Sequence, residues 1–263
     1  MLKVIVSGVI FFLAFISFPN IFAEDVTMRI VYNNVAYDKK LISSWGMGCV
    51  IEGLEKTILF DTGGDGTILL SNMERMGIDP EEIDIVVLSH IHGDHTGGLR
   101  SFLDLNPNVT VYLPVSFPSD FKREVRRRGA QVVEIAEPVE IVTNVYSTGE
   151  LGTSIREQAL IIRTVEGLVI VTGCAHPGVI TIARRAMQFL NDEIYLITGG
   201  FHLGGATEKE IRSIITELQS LGVKMIAPSH CTGEKAMKMF RNTWNQNFLE
   251  GGCGATIRIQ LAQ

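Results

Sequence analysis

The sequence predicts a single α/β domain with strand-rich halves and helices on the outside. Short β-branched runs, such as residues 168–172, alternate with segments whose apolar residues recur at helical spacing, such as residues 67–76. Several of these runs lead directly into loops that carry histidine. Because strand ends on one edge of a sheet converge in space, this pattern also predicts a shared polar site at that edge.

The elements of the N-terminal half follow from two kinds of pattern. Alternating or β-branched apolar runs predict strands, whereas apolar residues at helical spacing, bounded by glycine or proline, predict helices. The predicted strands are residues 26–35, 49–52, 57–61, 83–88, 110–113 and 131–135. The predicted helices are residues 67–76, 99–105 and 118–128.

The C-terminal half shows the same alternation. Thr207 and Glu210 have the spacing of a capping box, which predicts a helix start at that point. The predicted strands are residues 139–147, 159–164, 168–172, 194–198, 224–227 and 256–260. The predicted helices are residues 178–190, 207–221 and 234–244.

Residues 1–23 are typical of a secretory signal peptide. They contain one positive charge, an almost wholly apolar stretch at residues 4–18, and the small residue Ala23 at the expected cleavage point. An uncleaved anchor is the alternative, because the apolar stretch approaches the length that spans a bilayer. Pro19 shortens that stretch and favours cleavage. We therefore expect an exported, periplasmic domain at residues 24–263 that is not stably inserted in the membrane.

The charge balance argues against a nucleic-acid partner. The chain has 23 Lys and Arg against 29 Asp and Glu, a net charge of −6. Its longest basic run is the arginine triplet at residues 126–128, on a predicted helix, where a solvated face is the ordinary meaning. A mildly acidic chain without a larger basic patch is poorly suited to binding phosphate backbones. We expect a small-molecule substrate instead.

The loop that follows the predicted strand 83–88 carries His90, His92, Asp94 and His95. Neutral imidazole and carboxylate are ligands for divalent ions such as zinc, iron or manganese. The ordinary alternative is a polar turn with solvated histidines. Four ligand-type residues within six positions favour a metal site. His90 and His92 can reach one ion, while the adjacent Asp94 and His95 point differently and could serve a second.

The other three histidines also follow predicted strands, so all six lie in four strand-end loops. These three are His176, His202 and His230. Of the four cysteines, Cys174 and Cys231 lie beside these histidines, which suggests a role near the metal site. Asp61 ends another strand, where it could orient a ligand histidine or simply close the turn.

Residues 89–98 resemble the H-x-H-x-D-H motif of the metallo-β-lactamase superfamily, and the Asp61 turn and the late His230 occur in the order which that superfamily uses. The resemblance extends from residue 45 to the C-terminus. Three further segments are specific to one branch of the superfamily, namely residues 172–178, 199–203 and 229–233. They are similar to the branch of 7,8-dihydropterin-6-yl-methyl-4-(β-D-ribofuranosyl)aminobenzene 5′-phosphate synthases.

The resemblance implies a four-layer αβ/βα sandwich of the metallo-β-lactamase type, with two divalent metal ions at one edge. Zinc is the expected metal, with iron or manganese as alternatives. One ion would be held by His90, His92 and His176. The other would be held by Asp94, His95 and His230.

The chain departs from the common superfamily pattern in two places. Residues 157–160 stand roughly where a His-Thr-x-Gly run usually supplies the third histidine. Cys174 replaces the usual bridging aspartate, and His176, which follows two residues later, is therefore the least constrained ligand assignment. Cys174 could be a thiolate ligand, a small buried residue or a disulfide partner of Cys231. We favour a role outside the ligand set.

The implied activity is that of a metal-dependent hydrolase, in which a metal-activated water attacks an ester, phosphoester or amide-type bond. Asp94 would act catalytically by binding a metal and holding the water proton. His202 has no place among the six ligands. It is therefore a candidate for substrate binding or oxyanion stabilisation, the alternative being an ordinary strand-end histidine. The competing function is an exported protein that binds a metal or ligand without catalysis.

Overall fold

The computed structural model describes residues 25–261, so the predicted signal peptide at residues 1–23 lies outside the described residues. No helix in the described part of the chain is long and apolar enough to cross a membrane. Strands and α-helices alternate along most of the described chain, as the sequence predicts.

The N-terminal half forms most of the first sheet and its helices. The strands are β1 (Asp25–Asn33), β2 (Met47–Glu52), β3 (Ile58–Phe60), β4 (Ile85–Val87), β5 (Thr110–Pro114) and β6 (Gln131–Ile135). The helices are α1 (Gly66–Arg75), α2 (Gly93–Thr96), α3 (Leu99–Leu105) and α4 (Ser119–Arg127). The predicted β-α-β run is present, because β5 and β6 pair in parallel on either side of α4 in sequence.

The C-terminal half forms the second sheet. Its strands are β7 (Val139–Val142), β8 (Val145–Ser147), β9 (Leu160–Thr164), β10 (Gly167–Thr172), β11 (Ile194–Gly200) and β12 (Met225–Ser229). Its helices are α5 (Val179–Leu190), α6 (Glu208–Ser220) and α7 (Glu234–Trp244). The last strand, β13 (Thr256–Gln260), returns to the first sheet and pairs antiparallel with β1.

The strand order explains why several strand ends meet. The first sheet has the order β13-β1-β2-β3-β4-β5-β6, and the second has the order β12-β11-β10-β9-β8-β7. Strands β3 to β6 are mutually parallel, and so are β10, β11 and β12. Parallel strands place their carboxyl ends at the same edge, so the loops after β10, β11 and β12 emerge side by side.

Three apolar clusters fill the spaces between four layers. The middle cluster joins the two sheets and includes Phe60 and Val87 from the first sheet and Val171 from the second. One outer cluster packs α1, α3 and α4 on the first sheet, and the other packs α5, α6 and α7 on the second. The predicted four-layer αβ/βα sandwich is therefore confirmed.

Burial explains the sequence patterns of the strands. All six residues of β10 are buried, as expected for a strand covered on both faces, and residues 168–171 form a continuous apolar run. In the edge strand β13, Ile257 and Ile259 are buried while their neighbours are exposed. That strict alternation is typical of a strand with one face in contact with water.

Some element boundaries differ from the sequence prediction. Residues 80–82 form a 3₁₀ turn, so the strand predicted at residues 83–88 is shortened to β4. The strand predicted at residues 139–147 is a hairpin, β7 and β8, because Asn144 takes a left-handed backbone with φ 65° and reverses the chain. The histidine loop after β4 also contains one helical turn, α2, which the sequence analysis treats as loop.

Candidate metal centre

The structure brings all the histidines of the chain to one edge of the two sheets. His90 and His176 come from different sheets, yet their ring centroids are 4.8 Å apart. His95 and His230, also from different sheets, have ring centroids 5.0 Å apart. The loops that carry these side chains follow β4, β10, β11 and β12. The two sheets therefore supply opposite halves of one site.

The first group of side chains is His90, His92 and His176. His90 Nε2 lies 3.1 Å from His92 Nδ1, and the His176 ring centroid is 4.9 Å from that of His92. Burial and the neighbouring histidines lower the pKa of His90 strongly and that of His176 to about 4. His90 and His176 are therefore neutral at neutral pH and keep a nitrogen lone pair. His176 Nε2 is buried without a hydrogen-bond partner, as expected for an atom that serves as a metal ligand.

The second group is Asp94, His95 and His230. His95 Nε2 lies 3.2 Å from His230 Nε2, and Asp94 Oδ2 lies 3.3 Å from His230 Nε2 and 3.6 Å from His95 Nε2. Burial opposes the charge of Asp94, but His230 and His95 outweigh it and lower its pKa to about 2. Burial also disfavours the charged form of His95, yet Asp61 raises its pKa. This group therefore contains an ionised carboxylate, which the first group lacks.

Cys174 lies between the two groups. Its Sγ is 3.3 Å from His95 Nε2 and has ligand atoms of both groups within 4.8 Å. The hydrogen bond with Cys231 and burial raise the pKa of the Cys174 thiol. Both cysteines are free thiols, so the structure does not contain the disulfide considered from the sequence. From the sequence we favour a role for Cys174 outside the ligand set, whereas its position makes it a candidate donor to either ion.

Asp61 fixes the start of the histidine loop and one of its rings. Its carboxylate accepts hydrogen bonds from the Ser89 amide and hydroxyl, each at 2.7 Å, and lies 2.7 Å from His95 Nδ1. Gly173 must remain a glycine, because a Cβ there would meet Ser89 Oγ at 2.1 Å. The structure therefore supports the first interpretation of Asp61, in which its carboxylate orients a candidate ligand histidine.

Glu157 is the main residue that the sequence analysis overlooks. Its buried carboxylate accepts hydrogen bonds from the backbone N–H groups of Cys174, Ala175 and His176 at 2.8–2.9 Å. Burial raises the pKa of Glu157 in spite of these three donors. The carboxylate thus holds the turn that presents Cys174 and His176. The sequence points to Glu157 in one way only: residues 157–160 lie where this chain departs from the superfamily pattern.

Two further residues complete the surroundings. Asn34 Oδ1 lies 2.7 Å from His230 Nδ1, and Asn34 Nδ2 donates to the His230 carbonyl at 3.2 Å, so Asn34 fixes this ring and its backbone. No sequence pattern indicates that role. His202 is exposed, has a left-handed backbone with φ 52°, and places its ring centroid 4.3 Å from that of His176. It therefore stands beside the first group on the solvent side.

Both groups fit a divalent metal ion. The first group offers three imidazoles and the second two imidazoles and a carboxylate, with the Cys174 thiol within reach of both, and such donors suit first-row divalent metals. His95 Nδ1 and His230 Nδ1 both face acceptor oxygens, so in the neutral rings the two Nε2 lone pairs lie 3.2 Å apart, an arrangement that a cation would stabilise. The outer ring nitrogens of His90, His95 and His230 donate to Ser89 Oγ, Asp61 Oδ2 and Asn34 Oδ1, and metal-binding histidines usually have such supporting partners.

The chain is similar in sequence to two proteins from Methanocaldococcus jannaschii. A 7,8-dihydropterin-6-methyl-4-(beta-D-ribofuranosyl)-aminobenzene-5′-phosphate synthase is 29% identical over 272 residues, covering 85% of this chain and 92% of the relative. An uncharacterised protein is 27% identical over 264 residues, covering 88% of this chain and all of the relative (100%).

Solved structures share the fold. Tm1679, a metal-dependent hydrolase of the β-lactamase superfamily, superimposes with a TM-score of 0.75 at 24% identity, covering 89% of this chain and 99% of that one. The short form of human tRNase Z superimposes with a TM-score of 0.62 at 14% identity, covering 89% of this chain and 100% of that one.

The family model of the metallo-beta-lactamase superfamily matches residues 49–183, slightly more than half of the chain. The match includes the histidine loop, Glu157 and the turn of Cys174 and His176. Membership implies the use of divalent metals, in agreement with the donor groups described above. The chain therefore belongs to the metallo-beta-lactamase superfamily.

Proposed function

We propose that the chain is a dinuclear metal-dependent hydrolase that cleaves an ester, phosphoester or amide-type bond of a small molecule. The observation that carries this proposal is the pair of adjacent donor groups, in each of which two imidazole nitrogens lie 3.1–3.2 Å apart, with Cys174 Sγ near both groups. Two divalent ions held there would lower the pKa of a water molecule and polarise the scissile bond. Zinc is the metal that we propose first, with iron and manganese as alternatives.

Different residues of the chain would bind the metals, accept the proton and contact the substrate. His90, His92 and His176 would hold one ion, and Asp94, His95 and His230 the other. Asp94 stays ionised at neutral pH because its pKa is lowered to about 2. Its carboxylate can therefore accept a hydrogen bond from the attacking water and take its proton transiently. His202 stands exposed beside His176, where it can donate a hydrogen bond to the leaving group or to a developing oxyanion.

Metal analysis and a substrate panel test this function together. The purified protein is loaded with zinc, iron or manganese, and its metal content is measured alongside hydrolysis of phosphodiester, lactone and β-lactam substrates. We expect two ions per chain and turnover of one substrate class, with kcat/KM about a thousandfold lower in Asp94→Ala. Asp104→Ala is the matched control, because Asp104 is a carboxylate on α3 that only pairs with Arg128.

A non-catalytic metal-binding protein is the competing function. Two bound ions without turnover of any substrate in the panel would favour it over the hydrolase.

The synthase relative supplies a second candidate activity, supported by 29% identity over 85% of this chain. A hydrolase and a synthase differ in the fate of water, because a hydrolase adds a solvent oxygen to one product. Turnover in ¹⁸O-labelled water is therefore expected to give one labelled product. Formation of an unlabelled condensation product would favour the synthase instead.

A further inference from the structure

A cavity of about 550 Å³ opens beside the candidate ligand His230. We call it the Trp45 cavity and define it by Asn34, Val35, Trp45, His230, Met237 and Lys238. Its lining is mostly apolar, and its volume lies within the range of about 300–1,000 Å³ that is usual for small-molecule sites. None of the roles assigned above to the metal-holding residues explains why an apolar cavity adjoins them.

Trp45 forms an aromatic wall of this cavity. Its side chain is 59% exposed, an unusual state for the largest aromatic residue. Its ring centroid lies 4.9 Å from that of His230, with an angle of 54° between the ring planes. The indole is thus in contact with the metal centre on one side while much of its surface remains open to a ligand.

The backbone around Trp45 is fixed relative to Asp94. The Ser44 N–H donates to the Asn33 carbonyl at 3.1 Å. On the other side, a Cβ added to Gly46 would lie 2.3 Å from the Asp94 carbonyl oxygen, and the φ of Gly46 is 136°. Only a glycine lets the chain pass this close to the histidine loop. Trp45 is therefore held at a constant distance from the residues that would act on a substrate.

The charged residues at the rim have both signs. Arg241 is paired with Glu250, and its guanidinium lies 4.2 Å from the Phe248 ring centroid. Lys238 and Glu234 carry opposite charges, and neither has an ion pair within residues 25–261. What the cavity offers is apolar area and one open aromatic face.

We propose that the Trp45 cavity binds a planar aromatic ring of the substrate and thereby places the hydrolysable group of the same molecule at the metal centre. The proposal rests on the proposed hydrolase function and adds the chemical class of the substrate. A flat ring can stack on the indole, whereas a saturated group of similar size fills the volume without that interaction.

Binding of non-hydrolysable carboxylates to the zinc-loaded protein tests the proposal. The probes are naphthoate (the naphthalene-2-carboxylate isomer), its saturated decahydro analogue and acetate, with affinities measured by isothermal titration calorimetry. We expect naphthoate to bind about fivefold more tightly than its saturated analogue, from the usual strength of aromatic pairs, and both to bind more tightly than acetate. Equal affinities for the two bicyclic probes, or for naphthoate and acetate, would overturn the proposal.

Variants test whether Trp45 is responsible for naphthoate binding. Trp45→Ala is expected to weaken naphthoate binding about tenfold, and Trp45→Phe less than about threefold. Tyr37→Ala is the control, because Tyr37 is 57% exposed but lies outside the cavity. The chain has two tryptophans, and Trp244 is buried, so we expect naphthoate to shift the indole N–H signal that disappears from the NMR spectrum in Trp45→Ala. Unchanged affinity in Trp45→Ala, or a shift of the Trp244 signal alone, contradicts the proposal.

The outcome is separable from that of the proposed function. The probes are not cleaved, so their binding is measured whether or not the protein hydrolyses any substrate. Tight, Trp45-dependent naphthoate binding without turnover would contradict only the hydrolase. If the protein is active with the naphthyl ester of acetic acid, its KM for that ester should rise about tenfold in Trp45→Ala with little change in kcat, because the stacking is present before and during reaction. Turnover with an unchanged KM would contradict only the aromatic site.

Discussion

The two donor groups of the candidate metal centre are positioned by different means. The second group is supported side chain by side chain, since Asp61 contacts His95 and Asn34 contacts His230, each at 2.7 Å. In the first group, His176 is instead positioned through its backbone, by the buried Glu157 carboxylate. The His176 ring itself has an unpartnered Nε2.

This difference shows how the centre tolerates a departure from the superfamily pattern. The residues of the second group match the pattern, and each histidine has its own polar partner. In the first group, the usual third-histidine segment is replaced by the segment that begins with Glu157. There, a carboxylate orders three successive amides, and His176 reaches the site from the turn after β10. We infer that Glu157 takes over the positional role of the missing segment.

Glu157→Gln gives the largest effect that we expect. An amide nitrogen in place of Oε2 would face the His176 N–H, so two donors would oppose each other inside the protein. The metal-free variant should lose about 2 kcal/mol of unfolding free energy in urea. After dialysis, elemental analysis should give one ion per chain instead of two, with the second group still loaded.

Glu150→Gln is the matched control for this variant. The Glu150 side chain is 3% exposed and accepts a hydrogen bond from the Ser116 amide, but it lies outside the metal centre. This control should keep both ions. Retention of both ions at the original affinity in Glu157→Gln would show that the first group does not depend on the carboxylate.

Asp61→Asn is expected to act mainly on the second group. An amide cannot replace the carboxylate at both Ser89 and His95, and the loss of such a supporting partner usually weakens metal binding about 10- to 100-fold. The first ion should be affected much less, since Asp61 reaches His90 only through the Ser89 hydroxyl. Competition titrations with a chromophoric chelator measure both affinities.

Asp84→Asn, at a carboxylate that pairs with Lys56 away from the centre, should leave both affinities unchanged. If Asp61→Asn weakened the two ions equally, the contrast between the two groups would be wrong.

Asn34→Ala is expected to have the smallest effect. The variant removes one hydrogen bond to His230 Nδ1 and one to its carbonyl, but the ring remains packed against Trp45. Since a single hydrogen bond contributes about 1 kcal/mol, the affinity for the second ion should fall about fivefold. The same titration measures this change, with the exposed Asn242→Ala as control. A loss as large as that in Asp61→Asn would mean that Asn34, too, is essential for the second group.

Much of the fold was accessible from the sequence because its signals are local. Buried strands such as β10 contain a continuous apolar run, and the capping box at Thr207 and Glu210 is formed as predicted before α6. Boundaries were less accessible where a single residue changes the backbone direction. Asn144, with its left-handed φ, divides one predicted strand into β7 and β8.

Short motifs and periodic patterns were enough to predict the family, most of the strands and helices, and the histidine loop with three later strand ends. The contacts that support these donors were visible only in the tertiary structure. Asn34 and His230 are 196 residues apart, and Glu157 holds amides 17–19 residues further along the chain. Such pairs leave no local pattern, because one hydrogen bond between distant residues imposes no periodicity on either segment. The Trp45 cavity likewise leaves no local pattern in the sequence, because it forms only when both sheets have packed.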